Sequence, residues 1–167
     1  IRRALVTGGS GDIGGAICHA LAAAGMAVIV HANGNLARAQ AVVDAIIGQG
    51  GTAQAVAFDV TDAVASQQAI EALLLDGPVQ VVVNNAGIHD DAPMAGLDAA
   101  RWQRVIDVSL NGFFNVTQPL LLPMARKRWG RIISVSSVAA VLGNRGQTNY
   151  AAAKAGLHGA SKSLARE

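Results

Sequence analysis

Tyr150 and Lys154 stand four residues apart in NYAAAK, with only alanines between them. At i and i+4 on a helix they share one face. A free phenol has a pKa of about 10, too high for easy proton exchange near neutrality. A nearby ammonium favours the phenolate and lowers that value, so the pair makes a tunable proton donor and acceptor. The alanines leave a flat surface for a substrate and a cofactor. Taken alone, the same five residues also read as an ordinary exposed Tyr/Lys helical pair. Ser137 lies thirteen residues before Tyr150. If the intervening loop folds back, its hydroxyl faces the phenol.

A second group of residues suits phosphate. TGGSGDIG, Thr7 to Gly14, follows a short apolar run and opens a helical pattern. Glycines let the backbone turn sharply and approach a ligand closely. The helix N-terminus beyond offers free N–H groups and a positive dipole end to a pyrophosphate. Gly8, Ser10, Gly11, Asp12, Ile13 and Gly14 are the candidate contacts. The bland alternative is a glycine-rich turn with no ligand. The spacing G-x-x-x-G-x-G would need glycine at position 12, where Asp12 stands. Asp12 is able to cap the helix, but its charge lies near the expected phosphates.

Further candidates follow other apolar runs. Asn33 comes after the second. Asp59 and Val60 come after the third, where Asp59 either accepts from an adenine amine or helps to cap a helix, although Thr61 and Asp62 are better placed for capping. Asn84 to Gly87 (NNAG) come after the fourth; small residues there let a ribose lie against the backbone, and the Asn amides can tie the loop to neighbouring strands.

These groups need a scaffold. ALVTG (4–8), AVIVHA (27–32), AQAVAF (53–58), VQVVVN (79–84) and RIISVS (131–136) read as five strands, apolar on both faces like buried parallel strands. Helical patterns lie near 12–24, 35–48, 62–75, 98–127 and 148–165. Pro119 and Pro123 predict a kink or break in the fourth. The alternation argues for right-handed βαβ units, a doubly wound parallel α/β sheet with helices on both faces, in one dinucleotide-binding domain over 1–167. Ligands bind beyond the carboxyl ends of such strands, where the candidates fall.

Composition bounds the rest. The chain has 167 residues, 51% apolar and 14% charged, enough apolar material for a core. Residues 1–100 carry three arginines against nine acids, net −6, and residues 101–167 carry ten basic residues against two acids, net +8. That basic part suits an acidic partner. No aromatic-interleaved basic stripe points to nucleic acid. No apolar run reaches the roughly 18 residues of a membrane span, and no signal peptide is visible. The single Cys18 fits a reducing cytoplasm and reads as core. His19, His31, His89 and His158 lack metal-ligand spacing. Trp102, Phe113 and Phe114 read as core or subunit interface.

TGGSGDIG, Asp59-Val60, NNAG, Ser137 and YAAAK, in this order and spacing, resemble the short-chain dehydrogenase/reductase family across the whole chain. GRIISVSS, GQTNYAAAKAGL and SKSLARE are similar to the family's 3-oxoacyl-acyl-carrier-protein reductases and acetoacetyl-CoA reductases. The resemblance implies a Rossmann fold, a nicotinamide cofactor and hydride transfer to a carbonyl. It implies that Tyr150 protonates the nascent alkoxide. Lys154 would hold the nicotinamide ribose and lower the tyrosine pKa, and Ser137 would hydrogen-bond the substrate carbonyl. It also implies a homotetramer whose contacts use the fourth and fifth long helices.

The sequence departs from the family twice. A catalytic asparagine that helps to anchor a water in the proton relay is matched here by Ser109, in VSLNGFF. Asn111, two residues on, points roughly 200° away on an α-helix and does not substitute. Family members also continue well beyond SKSLARE, so the sixth strand and substrate lobe are expected to be missing from this chain. Either it is a fragment or it is part of a longer protein, and a longer protein is favoured. HANGN (31–35) has no acid to bind ribose hydroxyls, which favours NADP(H). Arg38 is the nearest candidate for its phosphate, and NAD(H) stays open. The resemblance further matches Arg128, in the basic run ARKRWGR, to an arginine that meets the acidic acyl carrier protein. The bland reading of that run is a cationic helix end. The expected reaction is reduction of a 3-oxoacyl thioester. The alternatives are another ketone or alcohol, or a nucleotide-binding pseudoenzyme.

Overall fold

The computed structural model describes residues 1–167. Five short strands, β1 (Arg3–Val6), β2 (Ala27–Ala32), β3 (Thr52–Ala57), β4 (Val79–Asn84) and β5 (Arg131–Ser134), form one parallel sheet in the order β3-β2-β1-β4-β5. Chain order reverses between β1 and β4, which opens a crevice at their carboxyl ends. Val6 pairs with Val30 on one side and Val83 on the other, so three loops leave the sheet at one level.

The alternating side chains of the strands feed two cores. Ala4, Val6, Val28 and Val30 pack with Cys18 of α1 (Asp12–Ala23) and Ala39, Val43 and Ile46 of α2 (Leu36–Gly48). Leu5, Ile29 and Val82 pack on the other face with Ile70 of α3 (Ala63–Leu75) and with Val116 and Leu120 of α5 (Gly112–Arg126). Burying side chains of this kind is worth about 1.5–3 kcal/mol each before entropy is counted. This is the expected Rossmann-type doubly wound arrangement.

Several boundaries differ from the sequence expectation. β1 ends at Val6, because Gly8 adopts φ +64, a left-handed conformation no strand accommodates. β5 ends at Ser134. Only β1, β2 and β4 are buried on both faces; β3 and β5 are edge strands with exposed or half-buried residues. The break in the long helical stretch is not at the prolines. α4 (Ala99–Ile106) runs into a π-helical turn, Asp107–Asn111, and α5 then passes through Pro119 and Pro123 unbroken. The two prolines are four apart, so the carbonyls they orphan lie on one stripe. Val116, Leu120 and Met124 anchor the adjacent face in the core. A four-residue helix, α6 (Ala139–Leu142), and α7 (Thr148–Leu164) complete the chain, with α7 against α4, the π-turn and β5. No helix is long and apolar enough to cross a membrane.

Candidate active site

The loop after β1 is built for close backbone approach. A methyl group at Gly14 would stand 2.2 Å from the Gly8 carbonyl oxygen and 2.7 Å from Asn85 Nδ2. Asn85 Nδ2 donates to the Thr7 carbonyl at 2.9 Å. The Thr7 hydroxyl accepts from the backbone N–H groups of Asn85 and Ala86, both at 3.0 Å. The β1 and β4 loops are therefore one unit. Asn84, one residue earlier, is buried and donates instead to Thr117 of α5 at 3.0 Å.

A cleft of about 600 Å³ opens over this unit. Gly8, Ser10, Gly11, Asp12, Ile13 and Gly14 border it from the first loop, Asn33 and Arg38 from beyond β2, Asp59 and Val60 from beyond β3, and Asn85, Ala86 and Gly87 from beyond β4. Every residue proposed for cofactor contact before Tyr150 thus borders one cavity. The close-packed glycine loop, ahead of the N-terminus of α1, fits a dinucleotide pyrophosphate.

One local role differs from expectation, and one cap falls on a better-placed candidate. Asp12 does not cap α1: Gly11 is the N-cap and no side chain bonds there, so the Asp12 carboxylate stands exposed at the cleft edge. Asp62, not Asp59, caps α3 by accepting from Ala65 N–H at 2.9 Å. Asp59 Oδ1 accepts from the N–H and hydroxyl of Thr61 at 2.9 and 2.8 Å.

Tyr150 and Lys154 enter from α7. Lys154 is buried, and its Nζ donates to the Val135 carbonyl at 2.9 Å. The same nitrogen lies 5.8 Å from the centroid of the Tyr150 ring. A methyl on Gly87 would stand 3.0 Å from Lys154 Nζ and 3.4 Å from Ser109 Oγ. Gly87 therefore keeps space open between the amine and the serine. Burial pushes the Lys154 ammonium below its ordinary pKa.

Ser109 sits in the π-turn and is buried, and its Oγ is the one buried side-chain polar atom with no hydrogen-bond partner. Such turns recur at functional sites, and an orphaned buried hydroxyl stands out because most are satisfied. Asn111 is exposed and donates to Asp107 at 2.6 Å, so it takes no part. Ser137 lies in the turn between β5 and α6, where its Oγ accepts from Ala139 N–H at 3.2 Å.

Buttresses not expected from the sequence hold these groups. Asn149 is fully buried; its Oδ1 accepts from the Tyr150 N–H at 2.8 Å, and its Nδ2 donates to the Asp90 carbonyl at 3.1 Å. Arg101 Nε donates to the Asp90 carboxylate at 2.7 Å and Arg104 pairs with its other oxygen, which together hold that carboxyl below its ordinary range. His31, buried at the end of β2, is a further buttress. Its only signal was a polar residue near the end of an otherwise apolar strand. Arg128, by contrast, lies in the turn between α5 and β5, at the amino end of β5 and away from the cleft; its φ is +51. Phe114 is exposed, whereas Trp102 and Phe113 are half-buried.

Comparison with known proteins agrees with this architecture. The family model for short chain dehydrogenase matches residues 2–167. The chain is 41% identical to 3-oxoacyl-(acyl-carrier-protein) reductase FabG of Aggregatibacter actinomycetemcomitans, over 98% of this chain and 68% of that protein. It is 44% identical to nodulation protein G of Azospirillum brasilense, over 98% and 67%. It is 43% identical to acetoacetyl-CoA reductase of Rhizobium meliloti, over 99% and 67%. The chain spans about two thirds of the length of these relatives. Extending across nearly all of its length, this similarity means that the chain belongs to the short chain dehydrogenase family of NAD(P)-dependent oxidoreductases.

Proposed function

We propose that the protein of which this chain forms part reduces the ketone of a 3-oxoacyl thioester, carried by an acyl carrier protein or coenzyme A, to the 3-hydroxyacyl thioester with NADPH. The observation that carries the chemistry is the placement of Lys154. Its amine is held between the Val135 carbonyl and Gly87, beside the Tyr150 ring. The reductases among the similar proteins support the thioester class.

A bound nicotinamide supplies the hydride. The chain's own residues manage the proton and the geometry. Gly8, Gly14 and the N-terminus of α1 receive the pyrophosphate. Asp59 Oδ2 is left to meet the adenine amine, because Thr61 occupies Oδ1. Gly87 and Lys154 receive the nicotinamide ribose. Ser137 donates to the substrate carbonyl, and Tyr150 delivers the proton to the oxygen as charge develops there. Lys154 keeps positive charge beside the phenol as that proton leaves. Ser109 Oγ, lacking any partner in the protein, anchors the water through which the proton is replaced. NADP(H) is favoured over NAD(H) because Asn33 and Arg38, not an acid, border the cleft beyond β2. The buried single cysteine agrees with a reducing cytoplasm.

Arg128 is assigned to carrier-protein docking. Because it lies at the amino end of β5, and the cleft at the carboxyl ends of the strands, it would serve the cleft of a neighbouring copy in a homotetramer. Exposed Phe114 and Leu122 on α5 supply an apolar face for that assembly.

The test is NADPH oxidation by the full-length protein with acetoacetyl-CoA and with a 3-oxoacyl carrier protein. Turnover of at least one is expected; no turnover of either refutes the thioester reading. Arg128→Glu should raise KM for the carrier-bound substrate in a salt-sensitive way and leave acetoacetyl-CoA unaffected.

A further inference from the structure

His31 is 1% exposed, at the end of β2, and both its ring nitrogens are engaged. Nδ1 accepts from the backbone N–H of Gly8 at 3.0 Å. Nε2 meets the Phe58 carbonyl at 2.8 Å. The ring also packs on Phe58, with centroids 4.3 Å apart. A carbonyl only accepts, so Nε2 must carry the hydrogen; Gly8 N–H only donates, so Nδ1 must be bare. The two partners fix one neutral tautomer.

The position matters more than the bond. Gly8 is the first glycine of the pyrophosphate loop, and Phe58 immediately precedes Asp59 on the adenine side. One imidazole therefore ties the pyrophosphate loop to the adenine side of the cleft. The His31 backbone carbonyl accepts from Ser10 N–H at 3.3 Å, so β2 grips the loop twice. The loop has little room to adjust. Gly8 is in the left-handed region, with its Cβ position 3.1 Å from Ala86 Cα, and the Gly9 Cβ position is 3.0 Å from Cys18 Sγ.

We propose that His31 is a positioning residue for the cofactor loop, and that its neutral Nε2–H imidazole is required for tight dinucleotide binding, so that protonation and cofactor binding oppose each other. Adding a proton at Nδ1 sets two N–H donors against each other across the Gly8 contact, and the loop or the ring must move. This rests on the nicotinamide cofactor reading above.

The charges around the ring do not reverse this. Asp59, from the β3 end, draws the proton on; Asp12 at the start of α1 and Arg38 on α2 border the same cleft with opposite signs. β2 itself carries no other charged group. Burial is the largest effect and holds the imidazole below its ordinary pKa of 6.5. The neutral form thus predominates at pH 6.5 and is lost as pH falls through the lower folded pKa.

The experiment is NADPH titration of the unsubstituted chain and of His31→Gln between pH 7.5 and pH 5. Glutamine has an acceptor and a donor but no titration, and the titration of NADPH itself is common to both proteins. As pH falls through the lowered folded pKa, the unsubstituted chain should lose affinity more steeply than His31→Gln, by up to about tenfold per pH unit below that pKa. Parallel curves would overturn the proposal. If the unsubstituted chain does not bind NADPH at pH 7.5, the cofactor reading itself fails and takes this proposal with it. Should His31→Gln not fold, nitrogen NMR of the unsubstituted protein decides. An Nε2–H tautomer whose pKa falls when NADPH binds supports the proposal, because linkage is reciprocal. An Nδ1–H tautomer, or a pKa that rises on binding, refutes it.

Discussion

Gly14 and Gly8 are so close that a single methyl on Gly14 would lie 2.2 Å from the Gly8 carbonyl oxygen. No side-chain rotation relieves that contact, because both atoms belong to backbone or Cβ. Gly14→Ala is therefore expected to push the loop out of shape. Stability should fall by about 1–3 kcal/mol, as in other overpacked sites, and NADPH affinity should drop at least about tenfold with the loss of loop geometry. Chemical denaturation and cofactor titration check both. A variant that binds NADPH normally would refute the cradle.

Tyr150 has a narrower role. Tyr150→Phe keeps the ring, its edge-on packing against His89 and the helix, and removes only the oxygen. Turnover by the full-length protein should fall on the order of 10²- to 10⁴-fold, the usual contribution of a positioned acid. Cofactor affinity should be nearly unchanged. Retained turnover would mean that another group delivers the proton.

Ser109 separates stability from activity. Its hydroxyl is buried without a partner, so removing it breaks no bond within the protein. Ser109→Ala should leave folding stability unchanged or raise it by about 1 kcal/mol. Turnover should nevertheless fall, by about tenfold if the hydroxyl anchors a relay water. Paired unfolding and steady-state measurements test this. Equal turnover in the two proteins would reduce Ser109 to packing.

Lys154 makes a pH prediction with a definite sign. Burial lowers its folded pKa from 10.5. Between the two values the unfolded chain holds more protons than the folded one, so this group adds stability as pH rises toward 10.5 and loses it as pH falls through the folded value. Urea unfolding at several pH values from 7 to 10.5 should show that slope in the unsubstituted chain. Lys154→Met should lack it. Parallel profiles would show that the amine titrates as it does in water.

Much of this site was legible in the sequence because its parts are local. A glycine loop between a strand and a helix, and a Tyr–Lys pair at i and i+4, are set by spacing alone. Residues whose role depends on distant partners were not. Asn149 is an unremarkable helix residue until its amide is seen to join Tyr150 to the Asp90 carbonyl. Pro119 and Pro123 signalled a break that packing of Val116 and Leu120 prevents, while the real irregularity at Asp107–Asn111 carries no such signal.

The sequence by itself determined the alternation of strands and helices, the parallel sheet and the family, since apolar periodicity and short motifs encode them residue by residue. Tertiary structure decided which strands became edges, that Ser109 turned inward without a partner, that Arg128 lies away from the cleft and that His31 joins the glycine loop to the end of β3. Those outcomes depend on contacts between residues tens of positions apart, which closing the sheet creates and no local pattern records.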